Sequence, residues 1–266
     1  MKRVRILSNK KINIKKIKAI AFDLDGTVYL GNYLVEGIKP LISFLKGKKI
    51  RVFYFTNNSV KSRKEIFEKL RGLGLKLSLT DVYNSAYATA RYLLMEGIYK
   101  VYCLGSSGLK QELGDNGIII SRRKAKVDAV VIGLDTKFKY SSISNALQVI
   151  KRGAKLIACN MDANYPTGEN RLLPGCGSLV AAVETASGKK ADYAVGKPNT
   201  FMLNMLAEDY HLKNNEILVV GDMYESDIAM AKKYGSPAVL VLNNSDCDKQ
   251  DAITVNETKD LFFLIA

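Results

Sequence analysis

Residues Ile20–Val28 read IAFDLDGTV, and the placement of Asp23 and Asp25 decides how the surrounding chain is read. The apolar run Lys18–Phe22 (KAIAF) passes straight into the first aspartate, with the second only two residues on. A carboxylate at a buried strand is costly unless it is paired, hydrogen-bonded or bound to a metal. Two close together also repel, which raises one pKa unless a cation intervenes. The stretch is therefore either a turn with solvated acids or a site at the end of a buried strand.

Working outward, the same pattern recurs along the chain: a short apolar run, a turn rich in Gly, Asn and Asp, then a helical periodicity. Lys18–Phe22, Ile50–Phe55, Lys100–Leu104, Ala129–Gly133, Lys155–Cys159, Tyr193–Gly196, Glu216–Val220 and Ala238–Leu242 read as fully buried strands. Gly37–Lys46, Ser62–Gly72, Ser85–Glu96, Ser141–Arg152, Ser178–Ser187, Thr200–Asp209 and Ser226–Tyr234 read as helices, and Ala252–Ala266 as a last short strand and helix. Such alternation predicts an α/β protein with parallel sheets and helices on their faces. So many strands in 266 residues suit two sheets better than one. The turn-rich segments Gly74–Asp81 and Gly188–Asp192 mark the two crossings of an inserted domain. The expected division is 1–79 and 191–266 for one domain, 80–190 for the insertion.

Composition narrows the chemistry. An apolar content of 47% suits a globular chain with a real core, and the longest apolar runs fall far short of a membrane span. Cys103, Cys159, Cys176 and Cys247 lie far apart without metal-ligand spacing and read as scattered reduced thiols. The lone histidine, His211, sits in a helical-looking polar stretch, Ala207–Asn215, and reads as a surface residue. A histidine triad or multi-histidine metal site is excluded, so acid–base chemistry falls to carboxylate, lysine or tyrosine. The net charge of +14 suits an anionic partner or a solvated lysine-rich surface. Eight of the first 18 residues are Lys or Arg with no apolar segment following, which reads as a basic extension of a cytoplasmic protein.

Four polar clusters each follow a predicted buried strand: Asp23-Leu-Asp25-Gly-Thr27, Thr56-Asn-Asn-Ser59, Lys197-Pro-Asn199, and Gly221-Asp222 with Asp227. Each alone is weak, since such strings occur in ordinary turns and helix caps; N-capping of the Ser62–Gly72 region competes for Thr56 and Asn57. Together they supply carboxylates, a hydroxyl, amides and an ammonium at strand exits, where open α/β sheets bind ligands. Phosphoryl transfer needs this set, because a phosphorus centre ringed by anionic oxygens repels a carboxylate until cations neutralise it. Asp23 and Asp222 are natural oxygen ligands for Mg²⁺. Lys197 adds fixed positive charge, and Thr56 with the amides around Asn57 can receive phosphate oxygens.

In this order, DLDGT, TNNS, GKP and GD…SD resemble the four motifs of the haloacid dehalogenase superfamily of phosphatases. The resemblance covers roughly the first 80 and last 75 residues. Val131-Ile-Gly-Leu-Asp135, Asn160-Met-Asp162 with Pro166, and Pro174-Gly-Cys-Gly177 are similar to the nitrophenyl-phosphatase-like branch, which carries a large α/β cap of type C2. The resemblance implies a Rossmann-like parallel-sheet core with helices on both faces and an inserted α/β cap. It also implies Asp23 as nucleophile forming an aspartyl phosphate, and Asp25 as general acid and base with its main-chain carbonyl on the metal. Asp222 would complete the metal site, with Asp227 in support. Asp135 and Asp162 are candidate substrate contacts from the cap, against ordinary turn and capping roles. An aspartate at position 25 favours phosphatase or phosphomutase over dehalogenase, and the DKTGT of the transport ATPases is absent. Many members of the branch have arginine after GD, where this chain has Met223.

The expectation is thus a Mg²⁺-dependent phosphatase acting on a small phosphomonoester, with no membrane partner, nucleic acid disfavoured, and a homodimer through the cap allowed. The alternatives are a non-catalytic anion- or nucleic-acid-binding protein, suggested by the +14 charge, and a phosphomutase on the same core.

Overall fold

The structure, a computed structural model, describes residues 12–121, 126–166, 171–243 and 252–265. Most of the basic N-terminal extension and Cys247 lie outside the described residues. The chain divides into two compact units, one of Met1–Thr56, Lys69–Val82 and Lys197–Ala266, the other of Asn57–Glu68 and Tyr83–Gly196.

The first unit is organised by five parallel strands in the order Ile253–Val255, Ala238–Val241, Ile217–Gly221, Ala19–Asp23, Arg51–Thr56. Every residue of Ala19–Asp23 is buried, as a central strand covered on both faces requires. From this strand the chain passes to Arg51–Thr56 on one side and later to Ile217–Gly221 on the other, so Ala19–Asp23 borders the switch point where ligand crevices form. Register fixes what gathers there. Asp23 pairs with Phe55 and Phe22 with Val220, which sets Asp23, Thr56 and Gly221–Asp222 at one end of neighbouring strands. The helix Ile38–Gly47 buries Ile38, Leu41, Ile42 and Leu45, a one-sided stripe at helical spacing.

The second unit holds a five-stranded parallel sheet in the order Tyr193–Ala194, Lys155–Ala158, Ala129–Ile132, Lys100–Leu104, Ile119–Ile120. Val130, Ile132, Leu156 and Ala158 from its strands pack with Val149 and Val180 from the helices Tyr140–Ile150 and Cys176–Ser187. Cys103, Cys159 and Cys176 are free and buried; burial pushes the Cys103 and Cys159 thiols up to about 12, so they behave as small apolar fillers.

The α/β reading holds, and the predicted strands appear with ends shifted by a residue or two. Three local corrections follow from turn and cap chemistry. The helical-looking stretch around His211 breaks at Tyr210, where His211 takes a left-handed φ of 53° and ends the helix, its side chain exposed as expected. The helix expected from Ser226 begins instead as a wider π-type turn, Tyr224–Ile228, before regular α-helix from Ala229 to Tyr234. An additional helix, Ser107–Asp115, is opened by the Ser106 side chain, which accepts from the Leu109 N–H at 3.1 Å. Among the described residues, no helix is long and apolar enough to cross a membrane.

Candidate active site

In the first unit, Asp23 ends its strand with its side chain nearly withdrawn from solvent, and a cation meets it. The Lys197 ammonium donates to Asp23 Oδ1 at 2.5 Å and to Asp227 Oδ1 at 2.6 Å, and is itself only 3% exposed. Burial opposes the charge on Lys197, but Asp227 and Asp23 outweigh it and hold the amine protonated well beyond an ordinary lysine. Asp227 is buried rather than an exposed acid at a helix entry. The π-type turn carries it inward, and its Oδ2 accepts from the Met223 N–H at 3.2 Å.

Asp222 joins this pair. One carboxylate oxygen from each of Asp23, Asp222 and Asp227 lies within 4.8 Å of the others. Burial, and then the charge of Asp227, pushes the Asp222 carboxyl up to about 6. Burial likewise raises Asp23 well above the usual carboxylate range; Lys197 opposes this, while Asp227 and Asp222 add to it. Three formal negative charges, two buried and one half-buried, against one ammonium leave a local excess of two. Hard oxygen donors with that excess fit a divalent cation, which would favour the ionised forms of Asp23 and Asp222.

Two glycines make room for these acids. At Gly26, φ is +87°, and a β-carbon would fall 2.0 Å from Asp222 Oδ2. At Gly221 it would fall 2.3 Å from Asp227 Oδ2. These are the glycines of DLDG and GD, so the motif letters have a steric reason beside the chemical one.

Asp25 is exposed beside this cluster, and the Tyr29 hydroxyl donates to its Oδ2 at 3.0 Å. Thr56 is buried as the last residue of its strand. Asn57 opens the second unit, and there its side-chain amide donates to both oxygens of Asp162, at 3.0 and 3.1 Å. The Asn57 carbonyl accepts from Asn160 Nδ2 and Ser85 Oγ, each at 2.7 Å. The Asp162 main chain serves the same loop: its carbonyl accepts from the Gly177 N–H at 2.9 Å. Asp135 holds its own turn, with Oδ1 accepting from the Lys137 N–H at 2.8 Å. The helix from Arg63 is capped by Ser62 and Glu65, whose side chains and main-chain amides bond reciprocally, so Thr56 and Asn57 are not its caps. That Ser-x-x-Glu box was readable in the sequence. Asn160 enters the sequence reading only as part of the Asn160-Met-Asp162 motif, and Tyr29 does not enter it; the four-residue spacing of Tyr29 from Asp25 is the one available signal.

Comparisons agree with this geometry. Residues 20–119 match the family model described as haloacid dehalogenase-like hydrolase, and residues 194–261 the one described as HAD-hydrolase-like. The acid sugar phosphatase of Staphylococcus saprophyticus is 36% identical over 216 residues, covering 81% of this chain and 82% of that protein. This chain belongs to the haloacid dehalogenase-like hydrolases. Among solved structures, this hydrolase resembles the 4-nitrophenylphosphatase of Thermotoga maritima, with a TM-score of 0.88 at 28% identity over 95% of this chain and 99% of that one. It also resembles the p-nitrophenyl phosphatase of Archaeoglobus fulgidus, with a TM-score of 0.85 at 27% identity over 92% and 98% respectively. The resemblance read from the four motifs holds, and with it the phosphatase class: this haloacid dehalogenase-like hydrolase is an enzyme, so the non-catalytic alternative falls away.

Proposed function

We propose that this enzyme is a cytoplasmic Mg²⁺-dependent phosphatase of small phosphomonoesters, sugar phosphates foremost, working through an aspartyl phosphate on Asp23. The observation that carries the reading is the buried Lys197 ammonium bridging Asp23 and Asp227, with Asp222 completing a carboxylate trio. The names of the acid sugar phosphatase relatives support the substrate class.

In this reading Asp23 attacks phosphorus while the bond to the ester oxygen breaks, and Asp25 gives that oxygen a proton. Asp25 then takes a proton from the water that attacks phosphorus, releasing phosphate and restoring Asp23. Asp23 and Asp222, with the Asp25 main-chain carbonyl, would hold Mg²⁺, which neutralises charge on the phosphate oxygens. Lys197 holds Asp23 in place and faces the same anion. Thr56 and the main chain around Asn57 receive the remaining phosphate oxygens. Asp227 keeps Lys197 charged and fixed rather than touching substrate.

The test is a panel of phosphomonoesters assayed with Mg²⁺ and with excess chelator, following inorganic phosphate. Metal-dependent release of phosphate, fastest among sugar phosphates, is expected. Transfer of the phosphoryl group to a second substrate hydroxyl without phosphate release would make the enzyme a phosphomutase instead.

A further inference from the structure

Asp25 is the exposed acid of the site, and nothing in its burial would stop its carboxylate from turning. The loop Leu24–Tyr29 supplies a restraint. The Leu24 carbonyl accepts from the N–H groups of Val28 at 2.9 Å and Tyr29 at 3.1 Å, and Gly26 donates to the Tyr29 carbonyl at 2.8 Å. This tight fold returns the Tyr29 hydroxyl to Asp25 Oδ2, while Tyr29 is buried. The Lys69 ammonium lies 3.5 Å from the centroid of the Tyr29 ring. A cation there draws electron density from the ring and strengthens the hydroxyl as a donor. The Tyr29 hydroxyl thus faces Oδ2 as a donor at 3.0 Å, held there by the turn and by its own burial.

A protonated carboxyl has one O–H and one carbonyl oxygen left to accept. A donor facing Oδ2 leaves Oδ1 as the oxygen that carries the acid proton. We propose that Tyr29 is a positioning residue that pins Oδ2 of Asp25 and so assigns the transferable proton to Oδ1. The inference rests on the general-acid role of Asp25 proposed above. As the bond from phosphorus to the ester oxygen breaks, that oxygen takes the proton from Oδ1 and Asp25 becomes a carboxylate still held at Oδ2. In the second step Oδ1 takes a proton from water as the water oxygen bonds to phosphorus and the bond to Asp23 breaks. No proton passes through Tyr29.

The test compares kcat/KM for 4-nitrophenyl phosphate, whose leaving group needs little protonation, with that for an alkyl ester such as a hexose phosphate, whose leaving group needs it most. Tyr29→Phe is expected to lose about tenfold more on the alkyl ester than on the aryl ester, and Asp25→Asn to show the same bias at about 10²-fold or more. Lys69→Met, which keeps the phenol, should show the same bias at smaller size, and serves if Tyr29→Phe does not fold. Equal losses on both esters, or no loss, overturn the positioning role while the bias of Asp25→Asn leaves the general-acid role standing. An unbiased Asp25→Asn would remove the general-acid reading and this inference together.

Discussion

The two units share a plan, a parallel sheet of apolar strands, but differ in how charge is settled where those strands end. In the first, the buried Lys197 ammonium pairs with Asp23 and Asp227 while Asp222 stands beside them, so that among these described groups the acids outnumber the cation. In the second, the Asp162 carboxylate is met by the Asn57 amide, and Asp135 by a main-chain amide of its own turn. Architecture alone therefore does not distinguish the two. What distinguishes the proposed catalytic unit, among the described residues, is a carboxylate cluster that outnumbers the ammonium beside it.

The sharpest way to break that contrast is Asp23→Asn. Turnover should fall by about 10⁴-fold or more if Asp23 is the nucleophile as proposed, because an amide replaces the attacking carboxylate. The fold should survive, since one of the crowded charges goes with it. Phosphate release and a thermal melt measure the two halves, and retained turnover would end the nucleophile assignment.

Removing the cation should hurt both activity and stability. Lys197→Met leaves Asp23 and Asp227 facing each other with their shared partner gone, and an unpartnered buried charge costs about 3–5 kcal/mol. Turnover should drop by about 10²- to 10³-fold. Denaturant unfolding with and without Mg²⁺ checks the sign, since added cation should recover part of the loss. A variant as stable as the parent would mean that the acids carry less charge than proposed.

Proton and metal should compete for Asp222. Its carboxyl sits at about 6 in the folded chain against an ordinary 3.8, because of burial and then Asp227. Between those values the metal-free fold holds a proton that the unfolded chain releases. The stability from this group is thus complete below the unfolded value and lost as pH rises through about 6. Mg²⁺ takes the ionised form, so its affinity should fall by up to about tenfold per pH unit below 6 and level off above it. Calorimetric titrations across that range test this; a flat affinity would take Asp222 out of the ligand set.

The smallest effect belongs to the second unit. Asp135→Ala should cost about 0.5–1 kcal/mol through the lost turn bond, read by denaturant melts. KM on a sugar phosphate is the sharper readout, and a rise beyond about threefold would give Asp135 a substrate contact as well.

Much of this was legible because strand-end motifs and register are local facts. The run KAIAF entering Asp23 predicts a buried strand, and parallel pairing with Arg51–Thr56 and Ile217–Gly221 then brings three motifs to one edge. What was not legible depended on backbone detours. The burial of Asp227 needs a wide turn that helical periodicity does not announce. The engagement of Asn57 with Asp162 joins residues 105 positions apart. The contact between Tyr29 and Asp25 is near in sequence, but Tyr29 reads as one more apolar residue after the motif, and the tight turn that returns its hydroxyl to the acid is not announced.

The absent side chains at Gly26 and Gly221 bear on moving this chemistry elsewhere. Each glycine holds open a space that a neighbouring carboxylate occupies, so the acids are shaped as much by missing atoms as by present ones. Grafting Asp23, Asp25, Lys197, Asp222 and Asp227 onto another parallel sheet should not transplant the proposed chemistry unless both gaps travel with them. The portable unit on that reading is a set of five functional groups together with two gaps, and a protein engineer searching for hosts should screen backbones for the gaps first.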